Sequence, residues 1–73
     1  MSQLKKNINE VDCDTNKRNE IEIEHLYKFY KANVSFPSPV INENDEVIAF
    51  HNTYFLLKDL GFDSILFVRK EEE

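Results

Sequence analysis

The stretch that decides the fold runs from Pro39 to Val68, PVINENDEVIAFHNTYFLLKDLGFDSILFV. Val40-Ile41 and Val47-Ile48-Ala49-Phe50 flank Asn42–Glu46, a polar, turn-rich insert of hairpin length, and predict a β-hairpin. From Asn52 to Leu60 the period changes: Thr53, Leu56, Leu57 and Leu60 recur at helical spacing and make a core-facing stripe. Gly61 stops that helix, because glycine adopts the left-handed conformation of a helix cap, and Phe62 is placed to fold back on Leu57. Ile65-Leu66-Phe67-Val68 is a continuous apolar run of β-formers, the pattern of a strand inside a sheet and covered on both faces. The path from Phe50 to Ile65 is long enough for a right-handed crossover, so this strand is expected parallel to the hairpin's second arm and beside it.

Upstream, Pro37-Ser38-Pro39 interrupts whatever precedes it. Leu26, Phe29 and Tyr30 at i, i+3 and i+4 predict two turns of helix over His25–Lys31. Glu20-Ile21-Glu22-Ile23-Glu24 alternates strictly, which predicts an edge strand with both isoleucines on one face and the glutamates in water. Residues 1–19 are rich in Asn, Lys, Asp and Glu, with Leu4, Ile8 and Val11 as the aliphatic residues beyond Met1. So few apolar groups predict a flexible tail, with a helix induced on binding as the secondary reading. The expected organisation is a tail at 1–19, one small α/β (α+β) domain with a mixed sheet at 20–70, and a disordered acidic end at 71–73.

Taken together, the hairpin, His51-Asn52-Thr53 at a helix start, the Leu60-Gly61 ending and the apolar strand resemble ParB/sulfiredoxin-like domains in a reduced form. In that family a hairpin delivers a Gly-His-His-Arg or Gly-x-x-Arg signature to a helix start, where backbone amides and the arginine hold a phosphate or phosphoryl group. Here the glycine position is Phe50, whose side chain is expected to obstruct that approach, and the arginine position is Thr53. His51 alone keeps a signature identity, Asn52 replaces the second polar position, and no cysteine lies nearby. The resemblance therefore implies the fold without the chemistry.

What remains at His51, Asn52 and Thr53 is a helix N-terminus with free amides and a partial positive potential, a candidate anion or nucleotide site. Capping of the helix by Asn52 or Thr53 is the competing structural role. Among 73 residues, 14 acidic and 9 basic side chains leave a net charge of −5. The first 19 residues carry +1 and the remainder −6, a field opposed to the counterion release that drives nucleic-acid binding, and ParB-like nuclease action is disfavoured with it. One cysteine, Cys13, excludes an internal disulfide and leaves a structural zinc site without ligands. No cofactor or metal is called for, no run reaches the length of a membrane span, and the absence of a signal-type apolar segment predicts a cytoplasmic protein. All nine aromatic residues follow Leu26, more than so small a core needs. Tyr27, Tyr30, Phe36, Tyr54 and Phe55 are the candidate surface for a protein partner or a second copy. A non-catalytic protein-binding or regulatory module is the leading expectation, and a nucleotide- or phosphate-binding domain the alternative.

Overall fold

A computed structural model describes residues 2–70; Met1 and the acidic end at 71–73 lie outside the described residues. The elements follow in the order β1 (Ser2–Asn7), α1 (Glu20–Lys31), β2 (Val40–Ile41), β3 (Val47–Ala49), α2 (His51–Asp59) and β4 (Ser64–Arg69). Single turns of 3-10 helix occur at Ile8–Glu10 and Thr15–Lys17. The sheet is mixed, in the order β1-β4-β2-β3, with β4 antiparallel to β1 and parallel to β2, and β2 antiparallel to β3. The α/β class with a mixed sheet is thus the one the sequence predicts.

The hairpin, α2 and β4 form where their residues call for them. At the end of α2, Gly61 takes a φ of +89°, the Phe62 amide donates to the Leu57 carbonyl at 3.2 Å, and the Gly61 amide donates to Lys58 at 3.0 Å. These two bonds make the Schellman motif and satisfy carbonyls that the helix end leaves open. Helix α1 ends the same way with Asn33 in the glycine role at φ +59°, the Val34 amide donating to Phe29 at 2.9 Å.

The neighbour of β4 differs from expectation. It lies beside the first arm of the hairpin, Val40 opposite Val68 and Ile41 opposite Arg69, so β3 and β4 are not parallel neighbours and no crossover links them as such. The outer side of β3 is occupied as well: the Asp12 amide donates to the Asp45 carbonyl at 2.9 Å and the Val47 amide donates to Asp12 at 2.8 Å. Nor is β4 covered on both faces. Ile65 and Phe67 are buried while Leu66 is 51% exposed, because the core lies on one side of the sheet.

Two upstream expectations are corrected. Glu20–Glu24 is not a strand but the start of α1. The Asn19 side chain accepts the amides of Ile21 and Glu22 at 3.0 and 3.1 Å, capping a helix whose first turn holds Glu20 and Glu22 and whose last holds Lys28 and Lys31. That charge order complements the helix dipole. The helix buries Ile23 and Leu26 and leaves Ile21 69% exposed.

Residues 2–19 are likewise not a free tail. β1 pairs along its whole length with β4, Ser2 opposite Arg69 and Asn7 opposite Ser64, and Ile8 and Val11 are core residues at 3% exposure each. The Tyr54 hydroxyl sits between the carbonyls of Ile8 at 3.2 Å and Val11 at 3.3 Å, so the segment is held by apolar burial and by a polar contact. Ile8→Ala is expected to lower the unfolding free energy by about 2–4 kcal/mol and Tyr54→Phe by about 1 kcal/mol in urea titrations. Unchanged midpoints in both variants would show that the segment is dispensable.

Asp45, at φ +60° in the hairpin turn, accepts from Lys6 Nζ at 2.9 Å and from Arg69 Nη2 at 2.6 Å, tying β1 and β4 to the turn. The bond from Lys6, aided by the one from Arg69 and opposed by partial desolvation, holds its carboxyl below the ordinary aspartate value. The folded state therefore binds this proton less readily than the unfolded chain does. The resulting stabilisation is complete above the unfolded pKa and disappears as pH falls through the folded one. Acid unfolding followed by circular dichroism is expected to be less steep in Asp45→Asn, and a profile identical to the parent's would refute the linkage.

Candidate functional site

The start of α2 is where the sequence places a possible anion site. Phe50 occupies the N-cap position with φ 58° and ψ 44°, a left-handed conformation that costs a residue with a Cβ about 1–2 kcal/mol relative to the right-handed region. The backbone thus keeps the turn a glycine would make freely, while the chain carries a phenylalanine there. Its ring is 49% exposed and lines neither of the two surface clefts.

The three residues beyond it do not converge on a common point. His51 is half-buried and opens the helix. Asn52 is buried and turned towards α1, its Oδ1 accepting the Asn19 amide at 2.7 Å and its Nδ2 donating to Glu22 Oε2 at 3.0 Å. Thr53 is buried at 2% exposure and borders the cleft beside Phe62 and Leu66. Neither Asn52 nor Thr53 caps α2, since no side chain makes a cap bond at its start. Both lie inside the first turn, because the cap position falls on Phe50. Glu22, drawn in by Asn52, places a carboxylate beside the first turn of α2. The Glu22 carboxylate beside the first turn of α2 repels an approaching phosphate, and this Coulomb repulsion offsets the favourable helix-end potential.

Other candidate chemistry is also accounted for. Cys13 is half-buried, and burial, with Asp14 adding to it against Lys58, pushes its thiol up to about 11. A thiol so rarely ionised at neutral pH is a poor nucleophile. Among the described residues, no group of three or more His, Cys, Asp or Glu side chains is placed to hold a metal ion, and no buried side-chain polar atom lacks a partner. No helix among them is long and apolar enough to cross a membrane.

The aromatic residues divide in two. Tyr54 and Phe55, expected at a partner-facing surface, are core residues at 4% exposure each. α2 is enclosed by the sheet, by α1 and by the N-terminal segment, and Arg18 lies over the Phe55 ring at 5.4 Å while donating to Asp59 at 2.6 Å. Tyr27 and Tyr30 are exposed on α1, and Phe36 packs half-buried against the core. The ring centroids of Tyr27 and Tyr30 lie 6.4 Å apart in a stacked arrangement, and Tyr30 meets Phe62 edge-on at 6.3 Å. Val34, Phe62 and Leu66, which were not among the residues expected at a partner surface, are 50%, 40% and 51% exposed and extend the same surface. Tyr27 and Tyr30 are outside because α1 turns Ile23 and Leu26 inward.

With this geometry in place, comparison with known proteins identifies the fold. No protein-family model and no curated protein matches the chain. Solved structures do. The C2221 form of a pNOB8-like ParB N-domain superposes with a TM-score of 0.76 at 16% identity, covering 99% of this chain and 30% of that one. Another structure of the pNOB8-like ParB N-domain gives 0.68 at 16% identity, over 96% of this chain and 28% of that one. The fold is therefore that of a ParB-like N-domain, including β1 and α1, and the chain spans less than a third of the length of the structures it matches.

Phe50→Gly is expected to stabilise the fold by about 1 kcal/mol, because it relieves a left-handed phenylalanine whose ring is half in water. A lower melting temperature in the variant, by calorimetry, would show that the ring contributes more than the backbone strain costs.

Proposed function

We propose that this chain is a non-catalytic protein-binding or regulatory module built on a ParB-like N-domain. The observation that supports this reading best is the continuous apolar surface formed by Tyr27, Tyr30, Phe36 and Phe62. Large rings held rigidly in a helix and a helix cap cost little side-chain entropy on binding and are the side chains on which interface energy concentrates. The start of α2 supports the same reading from the other side, since Phe50, Thr53 and Glu22 stand where a glycine, an arginine and open space would favour a phosphate. The overall charge of −5 argues against direct nucleic-acid binding.

The reading is tested by light scattering across concentration and by affinity capture with the wild-type chain and with Tyr30→Ala and Phe62→Ala. Each truncation is expected to weaken a captured complex or self-association by about 30-fold, the effect of losing an anchor ring worth about 2 kcal/mol. A strict monomer that retains nothing would overturn the proposal. Saturable calorimetric binding of CTP, ATP or ADP that is lost in His51→Ala would overturn it in favour of a nucleotide site.

A further inference from the structure

The surface around the rings carries a charge pattern unlike the rest of the molecule. It encloses two clefts, of about 510 and 400 Å³, that meet at Phe36 and at the edge contact between Tyr30 and Phe62. Lys31 borders the first cleft and Lys5 the second, and no Asp or Glu lines either one. In a chain with 14 acidic and 9 basic residues this is the reverse of the overall bias. Four carboxylates are engaged away from the clefts: Glu20 and Asp59 on Arg18, Glu22 on Asn52, and Asp45 on Lys6 and Arg69. Lys31 is further held at the surface by its position over the Tyr27 ring, 5.5 Å from the centroid.

An occupant of the joined clefts must offer apolar side chains to Tyr30, Phe36, Phe62 and Leu66, and whatever charge it carries meets Lys5 and Lys31. Basic flanks are repelled and acidic flanks attracted. A second copy docked through the same surface about a two-fold axis would bring the cleft lysines of one copy towards those of the other, with no carboxylate among the lining residues to offset them. We propose that the clefts bind an acidic segment of another protein, its apolar side chains seated among the rings and its carboxylates facing Lys5 and Lys31. This rests on the protein-binding reading above and adds the chemistry of the partner.

The test uses a fluorescent peptide in which Leu and Phe alternate with Glu and Asp, and its counterpart with Lys at every acidic position, each titrated with the whole chain by anisotropy. The acidic probe is expected to bind about tenfold more tightly, the sum of two exposed ion pairs, with a preference that shrinks as salt rises. The double variant Lys5→Glu/Lys31→Glu is expected to reverse the order, and Phe62→Ala to weaken both probes; far-UV circular dichroism verifies that each variant is folded. Equal affinities that both fall in Phe62→Ala would overturn the acidic partner while leaving the protein-binding reading intact. Binding of neither probe would overturn the peptide occupant. A dimer seen by light scattering and dissolved by Phe62→Ala would assign the clefts to a second copy and overturn it as well.

Discussion

Two polar side chains on one short helix organise the molecule. Asn52 and Tyr54 leave α2 in different directions and each ties down a separate piece of chain: Asn52 holds the start of α1, and Tyr54 holds the carbonyls of Ile8 and Val11. Between these attachments five successive residues, Asn52–Leu56, are buried, which is possible only for a helix enclosed on several sides. A chain of this length has little apolar surface to bury, so a central helix used on nearly all its faces is an economical way to build a core. The buried amide and hydroxyl make this enclosure specific, because each would be an unsatisfied polar group if the segments slipped past one another.

Much of this was legible from residues 39–68 and little from residues 1–24. The hairpin, the helix and its glycine stop are local features, written in turn residues, spacing and the αL requirement at Gly61. The strand pairing was not, since a continuous apolar run says that Ile65–Val68 sits in a sheet but not which arm of the hairpin it joins. Glu20–Glu24 misled because five residues are too few to fix a period, and in the helix Ile21 and Ile23 point to different sides, one exposed and one buried; the capping Asn19 and the acidic-to-basic order along α1 carried the better signal. The N-terminal segment was obscured by its composition. Its few apolar residues are too sparse to predict order by themselves, yet Ile8 and Val11 are nearly completely buried because the rest of the domain supplies the other walls. At the candidate site, Phe50 and Thr53 at the glycine and arginine positions could be read directly, whereas the inward turn of Asn52 and the position of Glu22 depend on α1 being a helix.

The left-handed Phe50 precedes α2, Asn52 bonds across to the start of α1, and the Glu22 carboxylate lies beside the first turn of α2. The apolar surface lies on the last turn of α1, the loop that follows it and the cap of α2, and its second cleft reaches Thr53. Its rings are attached to rigid elements, and Lys5 and Lys31 are the charged residues that line its clefts.

The pairing of β1 with β4 has a consequence for how the chain reaches its native state. The ladder joins segments from opposite ends of the described sequence, Asn7 to Ser64 and Ser2 to Arg69, whereas the hairpin, α2 and β4 follow one another closely. Closing a loop that long carries an entropy cost that grows with the logarithm of its length and is met only when the final contacts form. The sheet therefore combines an inexpensive local half with an outer strand of high contact order, which places the domain towards the slower-folding end for its size.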